Sequence, residues 1–187
     1  MAAPIPVHFI GESPGGVGSW QIVRSEPYIG APLPPAESIA VHEGAWSLPT
    51  PMVGAFCLRG TAGHARYVGH VERTALNAMS APLGRPEATC AALIPITKSD
   101  AWWNLSQDER RQIFEERSHH IQDSMKYLPA IARRLYQSRE LGGPFDFLTW
   151  FEYAPENAGL FEDLVAMLRQ REEWRYVTRE HDLRLAR

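Results

Sequence analysis

Two adjacent histidines, His119 and His120, are the residues of this sequence that point most directly to metal chemistry. Neighbouring residues of a regular element point in different directions, so the pair does not form a metal site by its spacing. No further cluster of His, Cys, Asp or Glu has the spacing of a zinc or di-iron site. Two interpretations stay open: a pair of surface or helix-capping histidines, or one histidine that is the whole protein contribution to a haem iron.

An arginine lies among apolar residues shortly after the histidines. Residues 131–138 alternate as a strand does, which places Arg133 on the same face as Leu135. A lone arginine on an apolar face is unfavourable unless it is paired or meets an anion. The pattern is compatible with an ordinary ion pair and with an arginine that faces an anion above a buried pocket.

Adjacent tryptophans at Trp102 and Trp103 are a third feature. Such residues usually pack in a core or an interface, and they can also wall a large planar ligand. The motifs GxGxxG, Walker A, HExxH and GxSxG are absent. The glycine-rich residues 15–18 lack the rest of a phosphate site and predict a turn.

The second half of the chain must position these residues, and its patterns are clear. An S-x-x-E capping box, Ser106 to Glu109, predicts a helix to about Arg117. Strands are predicted at 131–138 and 145–153, and the second of them places Thr149 and Phe151 on one face. A helix at 158–170 and strands at 174–178 and near 183–185 follow. This order predicts an α+β fold with an antiparallel sheet and helices on one face.

The first half resembles a shortened version of the same unit. Strands are predicted at 7–10, 20–23, 53–59 and 88–96, a weak helix at 67–79, a loop-rich stretch at 27–51 and a turn at 60–63. We therefore expect a single domain over 1–187, with an abbreviated half at about 1–95 and a second half at about 96–187.

Composition excludes several classes of function. The 187 residues carry a formal net charge of −3, which gives no electrostatic basis for binding nucleic acid or an anionic membrane. No apolar run has the length of a membrane span, and the first residues do not read as a signal peptide. Cys57 and Cys90 lack metal spacing and are predicted to be small core residues. We therefore expect a cytoplasmic protein.

Several segments together resemble the chlorite dismutases, specifically their short dimeric lineage. The resemblance runs from about Leu58 to the C-terminus. It is strongest in five segments: 92–99, Trp102–Trp103, 126–136 with KYLPAIARRLY, 144–153 and Glu172–Trp174. The resemblance implies a homodimer of ferredoxin-like α/β-barrel subunits, each with one haem b, that decomposes chlorite to chloride and dioxygen with formation of an O–O bond.

Site residues follow from the resemblance position by position. The proximal histidine of the family lies seven residues before the tyrosine of the KYL segment, so it falls on His120 and not on His119. The distal arginine falls on Arg133, which would attract chlorite and retain the oxychlorine anion. The acid beside the proximal histidine falls on Glu173. The remaining implied residues are Trp103 and Tyr67 near the haem edge and propionates, and Leu135, Thr149 and Phe151 in the distal wall.

Two alternatives remain at this stage. One is a related haem enzyme, a coprohaem decarboxylase or a peroxidase-like relative, although the decarboxylases lack an arginine at the position of Arg133. The other is a haem carrier, sensor or haem-free barrel protein with no catalysis.

Overall fold

The computed structural model describes residues 5–16, 18–45, 54–62 and 70–187, with eight strands and five α-helices in these ranges. The strands are β1 Pro6–Glu12, β2 Trp20–Ile29, β3 Ser38–Glu43, β4 Gly54–Ala62, β5 Cys90–Lys98, β6 Ala132–Gln137, β7 Phe147–Tyr153 and β8 Val177–Ala186. The helices are α1 His70–Met79, α2 Asp100–Asn104, α3 Gln107–Arg111, α4 His120–Ser124 and α5 Ala158–Arg169, with a π-helix at Gln112–Arg117 between α3 and α4.

The eight strands close into an antiparallel barrel in the order β1-β3-β2-β8-β5-β7-β6-β4. This confirms the predicted antiparallel sheet with helices. From residue 90 onward the elements follow the order strand, helices, strand, strand, helix, strand, and the sheet order is β8-β5-β7-β6. The expected division at about residue 95 falls inside β5.

Alternation along each strand separates two apolar clusters. One cluster fills the barrel interior and includes Phe9, Leu58, Leu93 and Trp150, all buried. The other lies on the outward face of the second half, where α5 packs its apolar stripe against the sheet. Side chains on this outward face form one wall of the candidate site.

Three predicted elements differ from the structure. The loop-rich stretch 27–51 contains the end of β2 and all of β3, and the predicted turn at 60–63 begins within β4. The predicted strand at 174–178 is mostly a short 3-10 helix, Glu172–Tyr176, and β8 runs from Val177 to Ala186 as one strand.

Two further predictions concern the burial of the cysteines and the presence of a membrane span. Cys57 and Cys90 are free thiols, and each is only partly buried, so neither is the fully buried core residue that the sequence predicted. In the described ranges no helix has the length and apolar character needed to cross a membrane.

Candidate functional site

A cavity of about 390 Å³ lies between the outward face of the second-half sheet and the helices that cover it. Its volume is within the range of about 300–1,000 Å³ that small-molecule and cofactor sites occupy. Most of its wall is apolar, including Ile94, Ile96, Phe147, Val165 and Leu168. The polar and charged side chains at the wall include His120, Arg133, Lys98, Glu173 and Glu180.

His120 is the first residue of α4 and reaches the cavity from a buried position. Its Nδ1 lies 2.6 Å from Oε1 of Glu173, in the short 3-10 helix before β8. Burial lowers the pKa of His120, so the imidazole is neutral and donates its Nδ1 proton to the carboxylate. This tautomer leaves Nε2 with a free lone pair, and Nε2 has no hydrogen-bond partner in the described part of the chain.

Glu173 is 1% exposed and is held as a carboxylate. Burial alone would raise the pKa of this group, but the hydrogen bond from His120 and the neighbouring Ser118 hydroxyl bring it below its ordinary value. An ionised acceptor strengthens the imidazole as an electron donor at Nε2. The predicted contact between His120 and Glu173 is therefore present, while their assignment to a haem stays a prediction.

Lys98 is a buried site residue to which the sequence pattern gave no role. Its Nζ donates to the backbone carbonyl of Glu173 at 2.6 Å and lies 4.7 Å from the centre of the Trp102 ring. Burial lowers the pKa of Lys98 to about 8, although the carboxylates of Glu173, Asp146 and Glu180 oppose this shift. Lys98 is the last residue of β5, and in the sequence it cannot be distinguished from a surface lysine at the end of an apolar strand.

Arg133 enters the cavity from β6. It makes no hydrogen bond or ion pair with any residue of the described ranges, in contrast to Arg134, whose Nη1 lies 3.8 Å from Glu43 Oε1. Burial lowers the pKa of the Arg133 guanidinium, which nevertheless remains charged near neutral pH. Of the two interpretations left open by the sequence, the structure favours an arginine that faces an anion.

The predicted wall residues lie together at the cavity. Leu135 follows Arg133 on the same face of β6, and Thr149 and Phe151 line the cavity from β7. The strand register pairs Arg133 with Phe151 and Leu135 with Thr149. Alternation along two paired strands therefore brings all four residues to one surface, as the sequence predicted.

The two adjacent tryptophans differ in their relation to the cavity, and the place of Trp103 near a haem edge and propionates stays a prediction. Trp103 is not among the residues that line the cavity, whereas its neighbour Trp102 is. The Trp103 indole is directed elsewhere because its Nε1 donates to Asp146 Oδ2 at 3.1 Å and its ring packs on Phe147. Tyr67, the other residue expected near the haem edge, lies outside the described residues.

The donor set of the cavity fits a haem. The described residues contain no group of three or more His, Cys, Asp or Glu that could hold a metal ion without a further ligand framework. His120 would supply one oriented nitrogen, which is sufficient for the iron of a haem because the porphyrin would provide its other nitrogen ligands. The apolar wall suits the faces of a macrocycle, so the residues present match this cofactor.

Known proteins resemble this chain in sequence and in structure. A family model described as chlorite dismutase matches residues 55–187. The chlorite dismutase of Ideonella dechloratans is 33% identical over 89 residues, a match that spans 48% of this chain and 29% of the relative. This chain therefore spans well under half the length of that relative where the two match.

Solved structures extend the similarity. The dimeric chlorite dismutase from Nitrobacter winogradskyi is 56% identical to this chain and superposes with a TM-score of 0.88. The match covers 97% of this chain and 99% of that one. A mutant chlorite dismutase from Candidatus Nitrospira defluvii, at 20% identity and a TM-score of 0.68 over 100% of this chain and 93% of that one, shares the fold. The family model alone covers well over half of the sequence. The chain belongs to the chlorite dismutase family of enzymes.

Proposed function

We propose that the protein is a haem b enzyme that converts chlorite to chloride and dioxygen. The reaction balances without other reactants, because ClO2⁻ contains the atoms and the charge of Cl⁻ and O2. It requires that both oxygen atoms leave the chlorine and become joined to each other.

The observation that carries the proposal is the guanidinium of Arg133, which has no partner among the described residues and lines an apolar cavity together with His120. A half-buried cation without a counterion is unfavourable unless the site takes up an anion. Its charge also contributes to the lowered pKa of His120, after the larger effect of burial, and both side chains line the same cavity.

His120 would ligate the haem iron through Nε2, and Glu173 would hold the proton on Nδ1. When bound, the haem iron would supply the oxygen-atom and electron transfer that these side chains cannot perform. The carboxylate keeps the imidazole in one tautomer and orientation.

Arg133 would handle the anions of the reaction. The guanidinium offers several donors in one plane and attracts chlorite into the cavity. It would then retain the hypochlorite-type anion until the second oxygen is removed and the O–O bond forms. Leu135, Thr149 and Phe151 would limit water in this space, which strengthens the attraction between Arg133 and the anion.

The quaternary structure and location are parts of the same proposal. We infer a homodimer, which the description of the Nitrobacter winogradskyi relative as dimeric supports. Each subunit would combine two ferredoxin-like halves, of which the first is abbreviated. The mildly acidic chain would act in the cytoplasm on a small anion, without nucleic acid or membrane as a partner.

Oxygen release from chlorite tests the proposal. Haem-loaded wild-type protein and its Arg133→Ala variant would be compared with an oxygen electrode, with chloride measured in the same samples. We expect one O2 and one Cl⁻ per chlorite consumed by the wild type. A protein that binds haem but releases no oxygen would contradict the proposed activity, and decarboxylation of coprohaem with peroxide would then identify the related enzyme class.

A further inference from the structure

The helical segment before His120 is irregular at two points. After α3 the backbone widens into the π-helix Gln112–Arg117 and then turns at His119, which has the left-handed angles φ 50° and ψ 34°. His119 is the only described non-glycine residue with positive φ. A turn of this kind in an L residue is strained, so the surrounding contacts must hold it in place.

Glu115 supplies the contact that holds the start of α4. His119 occupies the N-cap position but makes no capping hydrogen bond with its side chain. The Glu115 carboxylate instead accepts from the backbone N–H of Ile121 at 2.7 Å and of Gln122 at 3.3 Å. These are among the first N–H groups of the helix, which have no partner within it.

The π-helix contacts His120 in a second way. The Phe114 ring stacks on the imidazole with a centroid distance of 4.1 Å and an interplanar angle of 25°. Two successive side chains of the π-helix therefore contact the start of α4. Phe114 packs on the imidazole of His120, and Glu115 binds the backbone N–H groups that follow it. π-helical turns often occur where a functional side chain must be re-aimed.

We propose that Glu115 is a positioning residue for His120. Its carboxylate fixes the backbone at the start of α4, and this sets the direction in which Nε2 meets a cofactor in the cavity. The inference rests on the proposed function, because it gives His120 the role of haem ligand. Glu115 is itself buried and does not line the cavity, so it acts only through the backbone.

The test compares Glu115→Ala, Glu115→Gln and Glu116→Ala in the haem-loaded protein. Glu116 is the matched control, because it lies in the same π-helix and is exposed. The rate of haem transfer to an excess of apomyoglobin and the reduction potential of the iron would be measured for each. We expect Glu115→Ala to release haem about ten-fold faster or more and to change the potential, because two hydrogen bonds to a charged group are lost.

Glu115→Gln keeps one acceptor oxygen, so it should recover part of the wild-type haem retention, and Glu116→Ala should match the wild type. If the Ala variant fails to fold, the Gln variant still allows haem retention and potential to be compared with the wild type. If both Glu115 variants lower the melting temperature but retain haem and potential like Glu116→Ala, the residue is merely structural and the inference is wrong. A wild-type protein that takes up no haem would overturn the proposed function, and this inference with it.

Discussion

The Arg171 guanidinium and the Asp123 carboxylate form an ion pair between the same two segments that the hydrogen bond from His120 to Glu173 joins. A second ion pair joins them where Arg117 Nη1 lies 3.2 Å from Glu172 Oε1. Three contacts thus connect the segment around α4 to the turn before β8. The two outer pairs are partly exposed and contribute little stability each. They add to the contacts between the two segments that carry His120 and Glu173.

The hydrogen bond between Glu173 and His120 allows a test of the proposed effect of Glu173 on the haem iron. Glu173→Gln keeps the size of the side chain but weakens the acceptor, so the imidazole donates less electron density. We expect the reduction potential of the haem iron to rise, measured by spectroelectrochemical titration. Glu172→Gln, the adjacent residue in the same turn, serves as the control. An unchanged potential in Glu173→Gln would remove Glu173 from the proposed role.

His120→Ala should lose haem or bind it weakly, because the proposed iron ligand is gone. His119→Ala should retain a wild-type haem spectrum, because His119 is exposed and serves only as the turn before α4. Haem titration followed by absorption spectroscopy measures both. The reverse result would show that the ligand has been assigned to the wrong histidine of the pair.

The left-handed turn gives an independent prediction of stability. His119→Gly relieves the steric strain at φ 50° because glycine has no Cβ. We expect the free energy of unfolding of the haem-free protein to increase by about 0.5–1 kcal/mol, with urea denaturation as the measurement. His119→Val should have the opposite sign, since a β-branched residue tolerates this conformation poorly. Equal stabilities would mean that the turn relaxes in solution.

Arg133→Ala should decompose chlorite about ten- to a hundred-fold more slowly, because a charged hydrogen bond contributes about 1.5–3 kcal/mol. Haem content should stay near normal. Arg133→Lys should retain part of the activity, and Arg134→Ala is the matched control from the same strand. More hypochlorite should escape from Arg133→Ala, so a hypochlorite trap should prolong its activity. Wild-type rate and lifetime in this variant would leave the chlorite proposal without its main support.

Lys98 predicts a dependence of stability on pH. Its pKa is about 8 in the folded protein, whereas the ordinary value, which applies to the unfolded chain, is 10.5. Between these two pH values the unfolded chain therefore binds the proton on Lys98 more readily than the folded protein does. The contribution of Lys98 to the free energy of unfolding therefore becomes more favourable as pH rises from 8 to 10.5. The wild type should gain about 1–3 kcal/mol relative to Lys98→Met across this window.

Denaturation of both proteins at a series of pH values measures this difference. The exposed Lys126, changed to Met, provides a variant in which a surface lysine is lost in the same way. A difference between wild type and Lys98→Met that stays constant from pH 7 to 11 would contradict the lowered pKa.

The sequence predicted the elements whose apolar pattern has a regular period. Residues 131–138 and 145–153 alternate because one face lines the barrel and the other lines the cavity, and both form strands. The predicted helix 158–170 forms as α5 because it packs one stripe on the sheet. The same alternation identified Arg133, Leu135, Thr149 and Phe151 as members of one surface.

The sequence misjudged β8 because charged residues are buried there. Glu180, Asp182 and Arg184 occupy alternate positions along β8, and each is at most 5% exposed. They are tolerated because Arg169 of α5 pairs with Glu180 and Asp182, and Arg184 pairs with Asp182. Composition treats such residues as solvent-exposed, and the long-range partners that satisfy them have no local signal.

The supporting residues of the site were missed for a related reason. Glu115 and Lys98 act through backbone groups that depend on a π-helical turn and on a carbonyl 75 residues away. The direction of Trp103 likewise depends on its hydrogen bond to Asp146, in a distant segment. Residue types along the chain do not encode such geometry, whereas the resemblance to relatives supplied His120 and Glu173.

The closed barrel sets an order of events during synthesis. β8 lies between β2 and β5, so β2 keeps one unpaired edge until residues 177–186 have left the ribosome. At about 5–20 residues per second, that edge stays open for on the order of ten seconds. The turn that carries Glu173 comes immediately before β8, so the partner of His120 emerges at the same late moment. A nascent chain can therefore close its barrel and bring Glu173 to His120 only after these residues have emerged.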